Sequence, residues 1–175
     1  MLKKIGLVLA VAIAGVLAFA ATRPDSFRVE RTAVIHAPPA RILPLLDDFH
    51  RWQSWSPYEK LDPAMKRTHS GAASGRGAVY AWDGSGNAGA GRMEITDATP
   101  EHLAIDLAFT RPMESRNVAE FTLQPVGDST RVTWAMHGPS PYVSKVMGVF
   151  FDMDHMIGGD FETGLANLKS IAEKP

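Results

Sequence analysis

The last quarter of the chain, Pro141–Pro175, most constrains what the rest can fold into. It places apolar side chains at Val143, Val146, Met147, Phe150, Met153, Ile157, Phe161, Leu165, Leu168 and Ile171, in steps of mostly three and four. That spacing predicts one long amphipathic helix. Ser140 suits its N-cap, and Pro141 suits the first turn, where a missing N–H costs nothing. Val149, Phe151 and Met156 widen the stripe before residue 158, and Gly158-Gly159 then interrupt it. Each glycine weakens a helix interior by about 1 kcal/mol relative to alanine, so a bend or loosening is expected at the pair. A helix with so broad an apolar face needs a large apolar surface to cover.

The preceding sequence supplies that surface as strands. Phe27–His36 alternates, with Phe27, Val29, Ala33 and Ile35 apolar. A short helix is expected over Ala40–Phe49, bent by Pro44, which forfeits one backbone bond. His50–Pro63 is turn-rich and carries Trp52 and Trp55. Strands are then expected at Met65–His69, Ala78–Trp82, Gly89–Asp97, Leu103–Phe109, Met113–Leu123 and Thr130–His137. Turn signals such as Asp83-Gly84, Thr99-Pro100 and Val126-Gly127-Asp128 separate most of them. The expected fold class is α+β, a curved antiparallel sheet wrapped around the long C-terminal helix.

The N-terminus differs in kind. Lys3-Lys4 precede Ile5–Ala21, seventeen residues that are all apolar or glycine. As a helix they span about 25 Å, close to a bilayer core. Residues 1–24 therefore form a signal-anchor or signal peptide, and residues 25–175 the folded domain. An uncleaved anchor leaves a single-pass membrane protein with its domain on the exported side, periplasmic or extracellular. Cleavage, for which Ala18-Phe19-Ala20 is suited, leaves a secreted or periplasmic protein.

Composition narrows function by exclusion. There are no cysteines, so disulfides and thiol chemistry are absent. Three of the 18 basic residues (Lys3, Lys4, Arg23) precede Asp25 and none of the 19 acidic ones does, leaving the domain at a formal net charge of −4. A nucleic-acid partner is not expected of such a domain. Gly84–Gly89 spells G-x-G-x-x-G, but an alternating strand follows it where a nucleotide site needs a helix, so the glycines turn a hairpin. Asp152, Asp154, His155, Asp160 and Glu162 scatter around the helix instead of converging as metal ligands do, which makes them a solvated face. Neither a metal nor a cofactor is expected. Tyr80, Glu94, His137 and Asp152 have the chemistry of an acid or base, and nothing in the sequence selects among them.

The aromatic and methionine residues carry more. Trp52, Trp55, Tyr80, Trp82, Met93, Ile95, Leu107, Phe109, Phe121, Trp134, Met136, Met147, Phe150, Met153 and Ile157 all lie in their elements' apolar register. They are expected to line one enclosed apolar space between sheet and helix, of the usual ~300–1,000 Å³ of a ligand pocket. The alternative is that they pack as ordinary core.

From about Asp25 to Glu173 the chain resembles the START-like, helix-grip superfamily, also called SRPBCC, in its polyketide cyclase/dehydratase-like branch. The resemblance rests on FRVERTAVIHAPPARILPLLDDFHRWQSWSPYEKLDP, the hairpin YAWDGSGNAGAGRMEIT, the strand TRVTWAMHG and the ending FDMDHMIGGDFETGLANLKSIAE, taken together. It implies a helix-grip fold with a cavity. Members are binders of small apolar ligands, lipid carriers, plant pollen allergens and a minority of cyclases. The resemblance transfers no catalytic residue. Three functions follow as expectations: a membrane-tethered or exported binder of a lipid-like or aromatic molecule; a cyclase or dehydratase working through Tyr80, His137 or an acid; and an interaction module with a filled core.

Overall fold

In the computed structural model, which describes residues 2–174, the alternating segments pair into one antiparallel sheet. Its strands are β1 (Ser26–Ile35), β2 (Lys66–Gly71), β3 (Ala78–Asp83), β4 (Ala90–Ala98), β5 (His102–Arg111), β6 (Ser115–Val126) and β7 (Ser129–Pro139), in the order β1-β7-β6-β5-β4-β3-β2. β2 to β7 form a meander, and β1 adds to its far edge beside β7. Two register shifts in β4, at Ala90/Gly91 and Ile95/Asp97, favour the curvature, since an extra residue bends the strand that holds it.

Register aligns the inward-facing residues in rows across the strands. One row holds Tyr80, Met93, Leu107 and Asn117; the next holds Ile95, Ile105, Ala119 and Met136; a third holds Leu103, Phe121, Trp134 and Arg31. The opposite face carries Arg28, Glu30, Arg92, Glu94, Glu120 and His137 in salt bridges open to water.

Among the described residues four α-helices accompany the sheet: α1 (Leu2–Ala21), α2 (Pro39–Leu46), α3 (Tyr142–Met147) and α4 (Met153–Ala172). The expected 40–49 helix stops at Leu46, and two 3₁₀ turns follow, Phe49–Ser54 and Pro57–Lys60. The last four carbonyls of an α-helix lack intrahelical partners. Two of them in α2 are taken by indoles: Trp52 Nε1 donates to Leu46 O at 2.9 Å and Trp55 Nε1 to Leu45 O at 2.8 Å.

The C-terminal stretch corrects the single long helix. It breaks between Met147 and Met153, ahead of the glycine pair. Asp152 is extended there, and its Oδ1 accepts the His155 N–H at 3.0 Å. A carboxylate in that role starts a new helix in place of continuing the old one. At the front, Pro141 itself is the residue before the first turn, and the Ser140 N–H donates to Asp25 O at 2.7 Å.

Gly158 and Gly159 lie inside α4, which does not break at them. Gly158 serves a close approach: a Cβ there would collide with the Arg31 guanidinium, which crosses the helix at that point. Arg31 Nε donates to Glu162 Oε1 at 2.8 Å and Arg31 Nη2 to Asp154 Oδ2 at 3.0 Å. Those hydrogen bonds from Arg31 hold the Asp154 carboxyl below its ordinary range. The acidic cluster thus includes two ligands for a strand arginine and one helix cap, and no metal-binding group forms among the described residues.

Candidate functional site

The concave face has two ends. At the first, aromatic rings close the space beneath α4. Trp134 stacks on Phe161 at 4.1 Å between centroids and on Phe121 at 5.1 Å, while Trp55 meets Trp134 edge-on at 5.4 Å and lies tilted against Trp52 at 4.9 Å. Gly164 makes room for this stack, since a Cβ there would stand 2.6 Å from Trp134 Cζ3. Asn167 Nδ2 donates to Trp55 O at 3.0 Å and ties α4 to the 3₁₀ turns. Leu165 and Leu168 complete the seal, both buried. Two polar atoms sealed near here have no partner, Trp134 Nε1 and Ser56 Oγ. A buried unpaired donor typically costs about 1–3 kcal/mol.

At the second end the rings thin out. α4 meets β1 from Arg31 onward, through Lys169 Nζ to Val34 O and Glu173 to the His36 N–H, so the earlier positions of β1 lie beyond its first turn. Exposure rises across the rows in that direction. It is 0% at Phe121 and Ile105, 8–9% at Met93, Leu107 and Met136, and intermediate at Trp82, Phe109 and Phe27. Trp82 lies flat across Gly91, where a Cβ would stand 2.5 Å from its ring, and its Nε1 donates to Ala88 O at 2.9 Å. Phe109 meets it edge-on at 5.6 Å. Asn117, buried in the same register, lies over Gly138 and makes one long contact, Nδ2 to Ser115 Oγ at 3.5 Å. An open depression of about 500 Å³ lies where β1 begins and β7 ends, lined by Ser26, Phe27 and Gly138 together with Arg28 and His137 of the outer face.

Nine of the fifteen predicted residues are therefore buried: Trp52, Trp55, Tyr80, Met93, Ile95, Leu107, Phe121, Trp134 and Met136. Trp82, Phe109 and Ile157 are half-buried against them. Met147, Phe150 and Met153 are exposed, which corrects their assignment to the interior. Phe150 lies in the break between α3 and α4, and Met147 and Met153 flank it, so no continuous helix presses them onto the sheet. Phe27 and Asn117, which strand alternation also puts in the inward register, were not among the predicted residues. Phe161 was read as helix stripe alone. Its partnership with Trp134 requires the tertiary fold.

Of the four acid–base candidates only Tyr80 faces inward, and its hydroxyl is engaged. It donates to Glu59 Oε1 at 2.6 Å, while Arg67 Nε donates to Glu59 Oε2 at 2.7 Å. Burial, then the Glu59 carboxylate, pushes the Tyr80 phenol above its ordinary value. Beside it, His69 stacks on His50 at 4.0 Å. Burial, then the neighbouring His50, lowers the His69 pKa. Glu94 and His137 lie on the outer face, and Asp152 caps α4. Tyr80 is thus held as a donor to Glu59, and the other three candidates do not line the concave face.

At the other terminus, α1 contains a 19-residue stretch, Lys3–Ala21, with mean hydropathy 2.3, in which the residues after Lys3-Lys4 are apolar or glycine. Its last turns pack on α3, where Tyr142 Oη donates to Leu17 O at 2.8 Å and Lys145 Nζ pairs with Asp25 Oδ1 at 2.5 Å.

Residues 26–173 match the family described as polyketide cyclase / dehydrase and lipid transport. No curated protein matches the chain. Among solved structures, a Staphylococcus aureus protein of unknown function is similar, with a TM-score of 0.63 and 12% identity over 85% of this chain and 94% of its own. A Chromobacterium violaceum protein gives 0.60 and 14% over 87% of this chain and all of its own. The di-domain ARO/CYC protein BexL, from the BE-7585A biosynthetic pathway, gives 0.64 and 12% over 91% of this chain and 54% of its own. At such identities these likenesses are of fold.

Proposed function

The chain belongs to the polyketide cyclase / dehydrase and lipid transport family, and from that premise we propose that it binds a small apolar molecule, lipid-like or aromatic, at the half-open end of its concave face. The supporting observation is the gradient of burial along that face, from sealed rings at Phe121 and Trp134 to half-covered ones at Trp82, Phe109 and Phe27. A protein needing only a core would seal both ends. Here a strip lined by methionine and aromatic residues, Met93, Met136, Trp82, Phe109 and Phe27, is left only partly covered, and methionine adapts to guests of different shape. Asn117, with spare amide capacity, is the polar group that would orient the guest.

Tethering by α1 places this binder at the exported surface of a membrane, where apolar molecules are concentrated. The enzyme reading is less well supported, because the inward tyrosine is committed to Glu59.

Native mass spectrometry of the full chain, extracted in mild detergent, tests the binding directly. A co-purified small molecule, displaced by a fluorescent fatty acid that binds saturably, is expected. Absence of both would defeat the binding reading and favour an interaction module. N-terminal sequencing from the native host decides the tether, since a chain beginning at Ala21 or Thr22 has lost it.

A further inference from the structure

The segment from Tyr142 to Met156 presents Val143, Met147, Phe150, Phe151, Met153 and Met156 to solvent, Phe150 at 67% exposure. Exposed apolar groups gathered on one short stretch mark a contact surface in a water-soluble domain. From Tyr142 to Phe151 the only charged residue is Lys145, and its ammonium is already paired with Asp25. What would cover this surface follows from where it is fixed. Tyr142 Oη is bonded to Leu17 O, and Lys145 to Asp25, so α3 is held at the C-terminal end of α1.

If α1 spans the bilayer, its 17 apolar or glycine residues, Ile5–Ala21, reach about 25 Å, so Leu17 to Ala21 lie at the exported boundary of the hydrocarbon. A tyrosine reaching Leu17 O then sits at headgroup depth, where its amphipathic ring is favoured. Arg23, whose guanidinium lies 5.2 Å above the Phe19 ring, falls at the same level. The exposed phenylalanines and methionines continue from that boundary, on the link that leads into α4.

We propose that Tyr142–Met156 is a second membrane contact: the link between α3 and α4 inserts its apolar side chains into the exported leaflet beside α1. The occupant of this surface is phospholipid. Two attachments, one spanning and one interfacial, fix the domain's orientation as α1 alone would not. Because the link joins the N-terminus of α4, the half-open end of the concave face is turned toward lipid. This inference rests on the reading of α1 as an uncleaved anchor.

The test exploits the absence of cysteine. Single variants Phe150→Cys, Asp128→Cys and Leu9→Cys of the full chain, each carrying the same environment-sensitive fluorophore, are reconstituted in phosphatidylcholine vesicles containing shallow or deep nitroxide lipids. Asp128, in the turn between β6 and β7, is remote from the link in the sheet. The expected result is shallow-lipid quenching at least threefold stronger for the label at 150 than at 128, with the label at 9 quenched by deep nitroxides. A quenched label at 9 with equal, weak quenching at 150 and 128 overturns the second contact while leaving the anchor standing. Absence of quenching at 9 removes the anchor and the inference with it. A label at 150 that is unquenched by lipid but changes on protein dilution assigns the surface to a second copy of the chain, and also overturns the proposal.

Discussion

The two ends of the concave face are built from the same residue types and come out differently. At the sealed end, Trp134 has a ring on each side, Phe121 and Phe161, and a glycine beneath which the helix approaches. At the half-open end, Trp82 has Gly91 below, Phe109 at its edge and Tyr80 stacked beside it at 6.1 Å, and it stays half-buried. The difference lies in α4, which begins only at Met153 and meets β1 from Arg31 onward. Aromatic content in a sequence therefore does not by itself separate core from site. A second layer of structure must either arrive or fail to arrive.

The sharpest way to break this comparison is to truncate one ring at each end. Trp134→Ala should destabilise by about 3–5 kcal/mol, as expected for a fully enclosed aromatic. Phe109→Ala should cost about 1–2 kcal/mol, because part of its ring already faces solvent. Chemical denaturation of both variants, with fluorescent fatty-acid binding alongside, checks the pair. Binding should weaken roughly tenfold for Phe109→Ala, a loss of about 1.4 kcal/mol. Equal destabilisation with unchanged binding would erase the distinction between the ends.

A smaller effect separates the two glycines of α4. Nothing lies within 4 Å of a Cβ at Gly159, so Gly159→Ala should stabilise by about 0.5–1 kcal/mol through helix propensity. Gly158→Ala should lack that gain, because the Arg31 guanidinium must leave Asp154 and Glu162. Thermal melts of the two single variants are enough. A gain at both positions would mean that the arginine crossing contributes nothing.

The smallest effect expected is a pH dependence at the edge of the half-open end. His69 has its pKa lowered by burial and by His50, from an ordinary value of 6.5. The unfolded chain therefore takes up the proton first. The His69 contribution is intact above pH 6.5 and is lost as pH falls through the lowered folded value. His69→Phe should flatten the stability–pH slope just below 6.5 relative to the parent. An identical slope in both would show that other groups carry it.

Much of the architecture was legible because strands and helices write their burial into residue spacing. The period-two pattern located all seven strands within a few residues, including the hairpin that Gly86 and Gly89 turn at positive φ. The same pattern placed Trp82, Leu107, Phe121 and Trp134 on the inward face. It was less informative for the C-terminal stretch. Periodicity continued through Gly148–Asp152, while Asp152 as an N-cap started a new helix, and Gly158 served an arginine 127 residues away in sequence. The buried Glu59, partner to Tyr80 and Arg67, sits in a turn whose composition reads as surface.

What the sequence determined by itself was the apolar register of each strand, the reach of the N-terminal run and the helix-grip architecture, because side-chain direction within an element follows local geometry. What only the tertiary structure decided was which inward rings are covered. Coverage depends on where α4 starts, on Arg31 crossing at Gly158 and on Trp134 seating against Gly164. Each of these is a contact between residues far apart in the chain, and no local spacing encodes it.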